Sequence, residues 1–170
     1  MTRDNTVALN QSGSDTRLEF STVFNVAPVF IDRHIEENRG DKVCIRCTSG
    51  EVVKYSELQQ RVNQAGNALL GLGIQPTERV LMIVKDCPEF YYLFWGAIKA
   101  GIIPVPVNTL LRAGDYSYII ENSEASALFY STEFSAEVEP GITGASNKPA
   151  HYLQVSGDGE DFVSLLTNAA

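Results

Sequence analysis

Short apolar runs that alternate with helical patterns constrain this chain more than any other feature of its sequence. The runs are RVLMIVK at 79–85, IIPVPVN at 102–108 and ASALFYS at 125–131. A near-continuous apolar run is typical of a parallel strand that is buried on both faces. Parallel neighbours need crossover connections, and the intervening helices are long enough to supply them. The sequence therefore predicts an α/β fold, an open and mainly parallel sheet with flanking helices.

The clearest helix lies between a capping-box pattern, Ser56 with Gln59, and the glycines Gly71 and Gly73. Its apolar residues step by four and three and form one stripe, at Leu58, Val62, Ala65, Leu69 and Leu72. A second helix, PEFYYLFWGAIKA, is predicted to be capped by Asp86 and to stop at Gly101. Its aromatic residues crowd all sides: Phe90, Tyr91, Tyr92, Phe94 and Trp95. This crowding indicates a helix that is enclosed in a core or covered by another part of a larger protein.

The rest of the chain is assigned more coarsely. Residues 1–20 are polar and predict a disordered tail, whereas 21–170 carry the α/β pattern. Within 25–42 we expect a short amphipathic helix that stops at Gly40, and KVCIRCTSGEVVKY then predicts a hairpin. The helix AGDYSYIIENSE precedes the run at 125–131. After Thr132 we expect a loop with one helical turn, then the strand HYLQVS and the helix EDFVSLL.

Composition excludes several classes of function. The 170-residue chain carries a formal net charge of −8, which argues against a phosphate-backbone partner. Its apolar runs fall short of the roughly 20 residues that a membrane helix needs, and its first residues lack the apolar centre of a secretory signal. These features predict a cytoplasmic protein without a nucleic-acid or membrane partner.

The short motifs that suggest chemistry have a plainer explanation. Cys44 and Cys47 match a CxxC pair, but residues three apart on a strand point to opposite faces, which predicts ordinary strand cysteines. Neither GxGxxG after the first buried strand nor GxxxxGK[ST] occurs. His34 and His151 fall in separate elements without a nucleophile elbow.

Ligands of open α/β sheets gather at the carboxyl ends of the strands, here Lys85-Asp86, Asn108-Thr109 and Ser131-Thr132. Lys85 is interpreted as a solvated strand end, and Asn108 and Thr109 are residue types that turns favour anyway. Only Asn108 keeps a modest claim on function. Considered alone, these residues predict an α/β domain without a phosphate site of its own.

Pro104 and Pro106 stand two apart in IIPVPVN and remove backbone donors from one side of that strand only. A central strand does not tolerate such a loss, so the prolines predict a strand that is at an edge, bulged or met irregularly on one flank.

Two motifs resemble the core motifs of adenylate-forming enzymes. One is the helix start at Tyr55, Glu57 and Leu58, and the other is Lys99-Ala100-Gly101 running into a proline-containing strand that ends at Asn108. Finer features resemble the benzoate-CoA ligases and their 4-hydroxybenzoate relatives; these are Phe24-Asn25 with Ala27, VPVNTLL, and Asp115-Tyr116 with Tyr118, Glu121 and Ser123.

The resemblance implies an aryl-CoA ligase for benzoate or a hydroxybenzoate. In that family a carboxylate attacks the α-phosphate of Mg·ATP, and coenzyme A then displaces AMP from the acyl-adenylate. The family's phosphate loop, adenine motif, ribose-binding Asp and catalytic Lys lie C-terminal to the matched residues. The resemblance therefore assigns residues 21–170 to the N-terminal subdomain of an AMP-binding domain, truncated before the phosphate loop.

No catalytic, cofactor-binding or metal-binding residue can be transferred to the chain from this family. ATP, Mg and coenzyme A are expected for the parent enzyme and none of them for the fragment, which is expected to be inactive alone. Its partners would be the remainder of the ligase chain and an aromatic carboxylate, and a homodimer is compatible with the sequence. Two alternatives stay open: a free-standing flavodoxin-like binding module, or the N-terminal part of another acyl or amino-acid adenylating enzyme.

Overall fold

The computed structural model of the protein describes residues 5, 7–155 and 160–169. The strands, in chain order, are β1 (Val7–Ser12), β2 (Asp15–Phe20), β3 (Val43–Arg46), β4 (Val52–Lys54), β5 (Arg79–Ile83), β6 (Ile103–Pro106), β7 (Ala127–Tyr130) and β8 (His151–Gln154). The helices are α1 (Val26–Phe30), α2 (Asp32–Glu36), α3 (Tyr55–Gly71), α4 (Pro88–Ala100), α5 (Ala113–Ser123), α6 (Ser135–Gly144) and α7 (Glu160–Asn168).

The central sheet is parallel, and its strand order is β6-β5-β7-β8. Leu81 of β5 lies opposite Val105 on one side and Leu128 on the other, and Leu128 in turn faces Tyr152 of β8. β1 with β2 and β3 with β4 form two separate antiparallel hairpins. The predicted parallel α/β fold and the predicted hairpin before α3 are confirmed.

Alternate residues of the central strands enter two different cores. Val80 and Met82 pack into the core formed with α3, α4 and α7, whereas Leu81 and Ile83 pack into the core formed with α5 and α6. All four β7 residues are buried, and they divide between the two cores in the same way. Burial on both faces explains why these strands are continuous apolar runs without polar alternation.

β6 is an edge strand, as its prolines predict. Ile103 and Val107 donate their backbone N–H groups to Glu78 and Met82 on the β5 side, at 2.8 and 2.9 Å. Pro104 and Pro106 alternate with these donors, so their nitrogens face the open side of the sheet.

α3 begins at Tyr55, and its predicted capping box is wrong. The N-cap residue is Lys54, which makes no side-chain cap hydrogen bond. The backbone N–H groups of Tyr55 and Ser56 instead donate to the carbonyls of Lys42 and Gly40, both at 3.0 Å. A preceding loop thus satisfies the free donors that a capping side chain would otherwise take. The apolar stripe is confirmed, because four of its members are fully or nearly fully buried; they are Leu58, Val62, Ala65 and Leu69.

α4 crosses α3 at a point where both helices carry glycine. A Cβ atom on Gly96 would lie 2.7 Å from the Ala65 Cβ and 2.9 Å from the Gly66 backbone nitrogen. The helix ends as predicted, with Gly101 in the left-handed conformation at φ 81°. Its start differs from the prediction, because Cys87 rather than Asp86 occupies the N-cap position and Pro88 opens the first turn.

After Thr132 the sequence predicts a loop with one helical turn, and the structure differs: Thr132–Phe134 form a 3-10 turn and the ten-residue helix α6 follows. Pro140 inside this helix, with Gly141 and Gly144, weakens its local helical signal. Packing against α5 stabilises α6 where its helix propensity is low. A Cβ on Gly141 would lie 2.7 Å from the Tyr116 Cβ of α5, and the Ser117 hydroxyl donates to the Gly141 carbonyl at 2.8 Å.

The N-terminal predictions also need correction. Where the sequence predicts a disordered tail over 1–20, residues 7–20 form the β1–β2 hairpin with Gly13 at φ 64° in its turn. Residues 1–4 and 6 lie outside the described part of the chain. The single amphipathic helix predicted within 25–42 is divided at Ile31 into α1 and α2, and α2 is followed by the C-cap residue Glu37 rather than extending to Gly40.

The α3–α4 crossing makes a testable prediction. We expect Gly96→Ala to lower the free energy of unfolding by about 1–3 kcal/mol, because the added methyl group forces the two helices apart. Gly71→Ala is the matched control, since its Cβ would meet no atom within 4 Å. Urea unfolding followed by circular dichroism measures both variants. Equal stability of Gly96→Ala and the wild type would contradict the close packing.

Candidate functional site

Open parallel α/β sheets bind their ligands at the carboxyl edge, where the chain leaves the strands. The sheet ladder continues one residue past its strands there. Val107 donates to the Met82 carbonyl, Ser131 to that of Ile83 and Val155 to that of Tyr130, at 2.9–3.0 Å. The structure thus brings together the strand ends on which the predicted candidate residues lie.

Lys85 is held in place at the end of β5. Its backbone N–H donates to the hydroxyl of the fully buried Ser131 at 3.0 Å, and its ammonium donates to Glu133 at 2.6 Å. The hydrogen bond to Glu133 raises the pKa of Lys85. The sequence interpretation as a merely solvated strand end is therefore incomplete, because this cation is already paired.

Asn108 uses its side-chain oxygen and its backbone carbonyl to stabilise the turn after β6. Its side-chain oxygen accepts the N–H of Leu110 at 2.9 Å, and its carbonyl accepts the hydroxyl of Tyr116 at 3.1 Å. This is an Asx turn tied to α5, which favours the structural explanation that the sequence already offered for Asn108 and Thr109.

The ends of β7 and β8 are joined by side chains. The Tyr130 hydroxyl donates to Glu139 at 3.2 Å and accepts from the Gln154 amide at 3.3 Å, and the Thr132 hydroxyl donates to Gln154 at 3.4 Å. Together with the Lys85–Glu133 pair, these bonds join the ends of β5, β7 and β8 to the 3-10 turn and to α6.

The described residues of this edge lack the usual features of a site for a nucleoside triphosphate and its metal. Among residues 5, 7–155 and 160–169, no group of three or more His, Cys, Asp or Glu side chains could hold a metal ion. The ammonium of Lys85 is paired with Glu133, and the described segments that follow β5, β6 and β7 contain no glycine that could direct backbone N–H groups at a phosphate. The sequence prediction that the chain contributes no catalytic, cofactor-binding or metal-binding residue stays a prediction.

The cysteines have the environment of structural residues. All three thiols, Cys44, Cys47 and Cys87, are free. Burial raises the pKa of each of them, that of Cys87 to about 12, so all three remain protonated at neutral pH. Cys44 lies in β3, where its thiol donates to the Val53 carbonyl at 3.3 Å.

The two motif segments meet at a junction that joins the N-terminal helices to α4. The Lys99 ammonium donates to Asp32 of α2 at 2.6 Å, and the Gln59 amide of α3 donates to the same oxygen at 2.8 Å. The Asn25 amide caps α1 through its oxygen and donates to the Ile98 carbonyl at 2.8 Å. We call Asn25, Asp32, Gln59 and Lys99 the α4 clamp. The spacing of charges did not reveal it, because its members lie up to 74 residues apart.

Tyr55, the first residue of the other motif, stacks on His34 with ring centroids 3.7 Å apart. The ring nitrogen Nδ1 of His34 accepts the Arg39 Nε–H at 3.1 Å. Desolvation and the neighbouring cation Arg39 lower the pKa of His34. His34 lies on α2 and His151 on β8, so the structure places them in separate elements as the sequence indicated.

The structure has a groove beside α4 that the sequence did not predict. It has a volume of about 350 Å³, and its lining includes Phe30, Arg46, Tyr91 and Trp95. Phe30 stacks on Trp95 with centroids 5.4 Å apart and is itself more than half exposed. The aromatic crowding of α4 predicted an enclosed or covered helix. The structure buries Tyr92 and Leu93 but leaves this face open.

Comparison with known proteins gives a consistent result. The family described as "AMP-binding enzyme" matches residues 31–170. A 4-hydroxybenzoate–CoA/benzoate–CoA ligase of Rhodopseudomonas palustris is 39% identical over 142 residues, which cover 78% of this chain and 26% of that protein. A benzoate–CoA ligase of Thauera aromatica is 34% identical over 158 residues, with 92% of this chain and 30% of that protein covered.

Solved structures of CoA ligases also resemble this chain. A benzoate CoA ligase from Burkholderia xenovorans superposes with a TM-score of 0.78 at 30% identity, over 86% of this chain and 29% of that one. An anthranilate CoA ligase in complex with anthranoyl-AMP gives 0.77 at 28% identity, over 86% and 27%. The chain thus spans between a quarter and a third of the length of these relatives. Within its described residues no helix is both long and apolar enough to cross a membrane.

The α4 clamp predicts unequal effects for two lysines that each pair with an aspartate. Lys99 and Asp32 are 26% and 19% exposed, whereas Lys54 and Asp41 are 51% and 97% exposed. We expect Lys99→Met to lower the free energy of unfolding by about 1–3 kcal/mol, because it leaves a half-buried carboxylate short of a donor. Lys54→Met should cost less than about 1 kcal/mol. Chemical denaturation measures both, and equal effects would contradict the role of the clamp.

His34 predicts a dependence of stability on pH. Because its pKa is lower in the folded chain than the usual value near 6.5, the unfolded chain binds the proton more readily. Stability is therefore expected to fall as the pH drops below about 6.5, and His34→Phe, which keeps the stacking on Tyr55, should weaken this fall between about pH 7.5 and 5. An NMR titration of His34 with a midpoint at or above 6.5 would contradict the assignment.

Proposed function

Since this chain belongs to the AMP-binding enzyme family, we propose that it is the N-terminal part of an aryl-CoA ligase. The parent enzyme would join an aromatic carboxylate, benzoate or a hydroxybenzoate, to coenzyme A while ATP is converted to AMP and diphosphate. In the first step a carboxylate oxygen bonds to the α-phosphorus and diphosphate leaves. In the second step the thiol sulfur bonds to the acyl carbon and AMP leaves.

The sequence relatives support the aryl class. Both ligases reported above carry benzoate in their names. Of the benzoate-like motifs, VPVNTLL and the one from Asp115 to Ser123 lie inside the residues that match the family, and Phe24-Asn25 with Ala27 precedes them. The superposition on a benzoate CoA ligase and an anthranilate CoA ligase supports the same class of acid. The comparisons lend no support to a free-standing flavodoxin-like module.

The pairing of polar side chains at the described carboxyl edge of the sheet supports assigning nucleotide binding to the remainder of the ligase. Lys85 is paired with Glu133, and the side-chain oxygen and the carbonyl of Asn108 accept hydrogen bonds within its own turn. In the proposed reaction, no bond-making step involves a residue of this chain. ATP, Mg and coenzyme A would be bound by the remainder of the ligase.

The part that this chain plays in the proposal is architectural. Residues 21–170 supply a parallel sheet covered by helices on both faces, with the α4 clamp fixing the N-terminal helices against α3 and α4. The remainder of the ligase chain is its proposed partner. The cytoplasm is the proposed compartment, because all three cysteines are free and such thiols suit a reducing environment.

The proposal predicts that the 170-residue chain alone gives no benzoate-dependent ATP–diphosphate exchange. A chimera in which residues 24–170 replace the corresponding segment of the Rhodopseudomonas palustris relative should restore it. The unmodified relative is the positive control, and the relative lacking that segment is the negative control. Exchange by the isolated chain, or a folded chimera that binds neither benzoate nor ATP, would contradict the proposal.

A further inference from the structure

The β1–β2 hairpin lies outside the residues that match the family, which begin at 31, and it has one apolar face. Val7 pairs with Phe20 and Leu9 with Leu18, and directly opposed residues share a face of the sheet. These four side chains are 43%, 57%, 59% and 58% exposed, respectively. In the part of the chain that the structure describes, β1 and β2 pair only with each other. An isolated two-stranded hairpin is marginally stable in water, so this element gains from an added strand.

We propose that the outer edge of β2 pairs with β2 of a second copy of this chain, antiparallel and about a two-fold axis at Leu18. Ser12 and Asp15 close a two-residue turn, and hydrogen-bonding then alternates along the hairpin. This alternation directs the N–H and C=O groups of Thr16, Leu18 and Phe20 outward. With Leu18 opposite Leu18, Thr16 faces Phe20 of the second copy, and all outward groups meet their counterparts.

Charge complementarity selects this register. With Leu18 on the axis, Arg17 of each copy lies opposite Glu19 of the other, so two attractive pairs form. A shift of the register by two residues in one direction places Arg17 opposite Arg17 and Asp15 opposite Glu19. A shift in the other direction places Glu19 opposite Glu19. Both shifted registers bring like charges together, which is destabilising.

Neither charge is used inside the hairpin. Arg17 lies opposite Asn10 and Glu19 opposite Ala8, and neither Arg17 nor Glu19 forms an ion pair within residues 5, 7–155 and 160–169. The edge of β1, by contrast, carries no charged residue between Val7 and Ser12. The β2 edge is therefore the one whose sequence specifies a partner and a register.

The two-fold pairing also extends the apolar face. Because Leu9 lies beside Leu18, the joined sheet carries a row of leucines across four strands, with Leu9 of each copy at its ends. The pairing satisfies the free edge with main-chain hydrogen bonds, as in β-strand addition. An interface of one strand edge is smaller than the roughly 1,200 Å² of a stable complex, so we expect a dimer that dissociates on dilution.

Sedimentation of the 170-residue chain from micromolar to millimolar concentration tests the proposal. The mass should rise from the 18.6 kDa of the monomer toward twice that value. Arg17→Glu and Glu19→Arg should each raise the dissociation constant about tenfold or more, because two attractions become repulsions. An equimolar mixture of these two variants should recover association, since every facing pair is then Glu with Arg.

Two proline variants locate the edge. Leu18→Pro removes an outward donor from β2 and should abolish association, whereas Leu9→Pro removes the equivalent donor from β1 and should leave it unchanged. A wild-type chain that stays monomeric at millimolar concentration overturns the proposal. A dimer that tolerates Leu18→Pro, or one that persists in both charge variants with no gain on mixing, places the interface elsewhere and equally overturns it.

Discussion

The fold depends on the burial of β5 and β7 on both faces. Each strand sends alternate side chains into two cores, so neither layer of helices can be lost without exposing half of the strand. The helices on the α3–α4 side lie very close together, and Gly66 and Gly96 make that approach sterically feasible. On the other side, Gly141 allows α6 to approach α5 in a similar way. Two-sided burial thus imposes close helix packing on both layers.

Much of this architecture could be predicted from the sequence, because two-sided burial leaves uninterrupted apolar runs that few other environments produce. The edge position of β6 followed from two prolines, since the rule concerns only which backbone donors are missing. The failures have a common physical cause. α6 contains a proline and two glycines in its ten residues and forms through packing on α5, while Tyr55 and Ser56 take their partners from distant loop carbonyls. Local patterns do not carry such contacts.

The sequence predicted where the candidate site lies but not which bonds its polar side chains form. The strand ends of the sheet were identified correctly. Their bonds, however, join Lys85 to Glu133 of the 3-10 turn and Tyr130 to Glu139 of α6, where the sequence predicts a loop with one helical turn. The motif residues that suggested an enzyme family have a structural use in this chain. Lys99 binds Asp32, Tyr55 stacks on His34, and Asn108 shapes a turn. Each of these motif residues thus has a structural partner within the described part of the chain.

The two edges of the central sheet are chemically unequal. Along the open side of β6, Pro104 and Pro106 present carbonyl acceptors without matching N–H donors, whereas β8 carries no proline and keeps both kinds of group. A strand that approaches β6 finds only half of a ladder, but one that approaches β8 finds a complete ladder. The sheet consequently has a direction of growth. A strand contributed from elsewhere is therefore expected to pair with β8 rather than with β6.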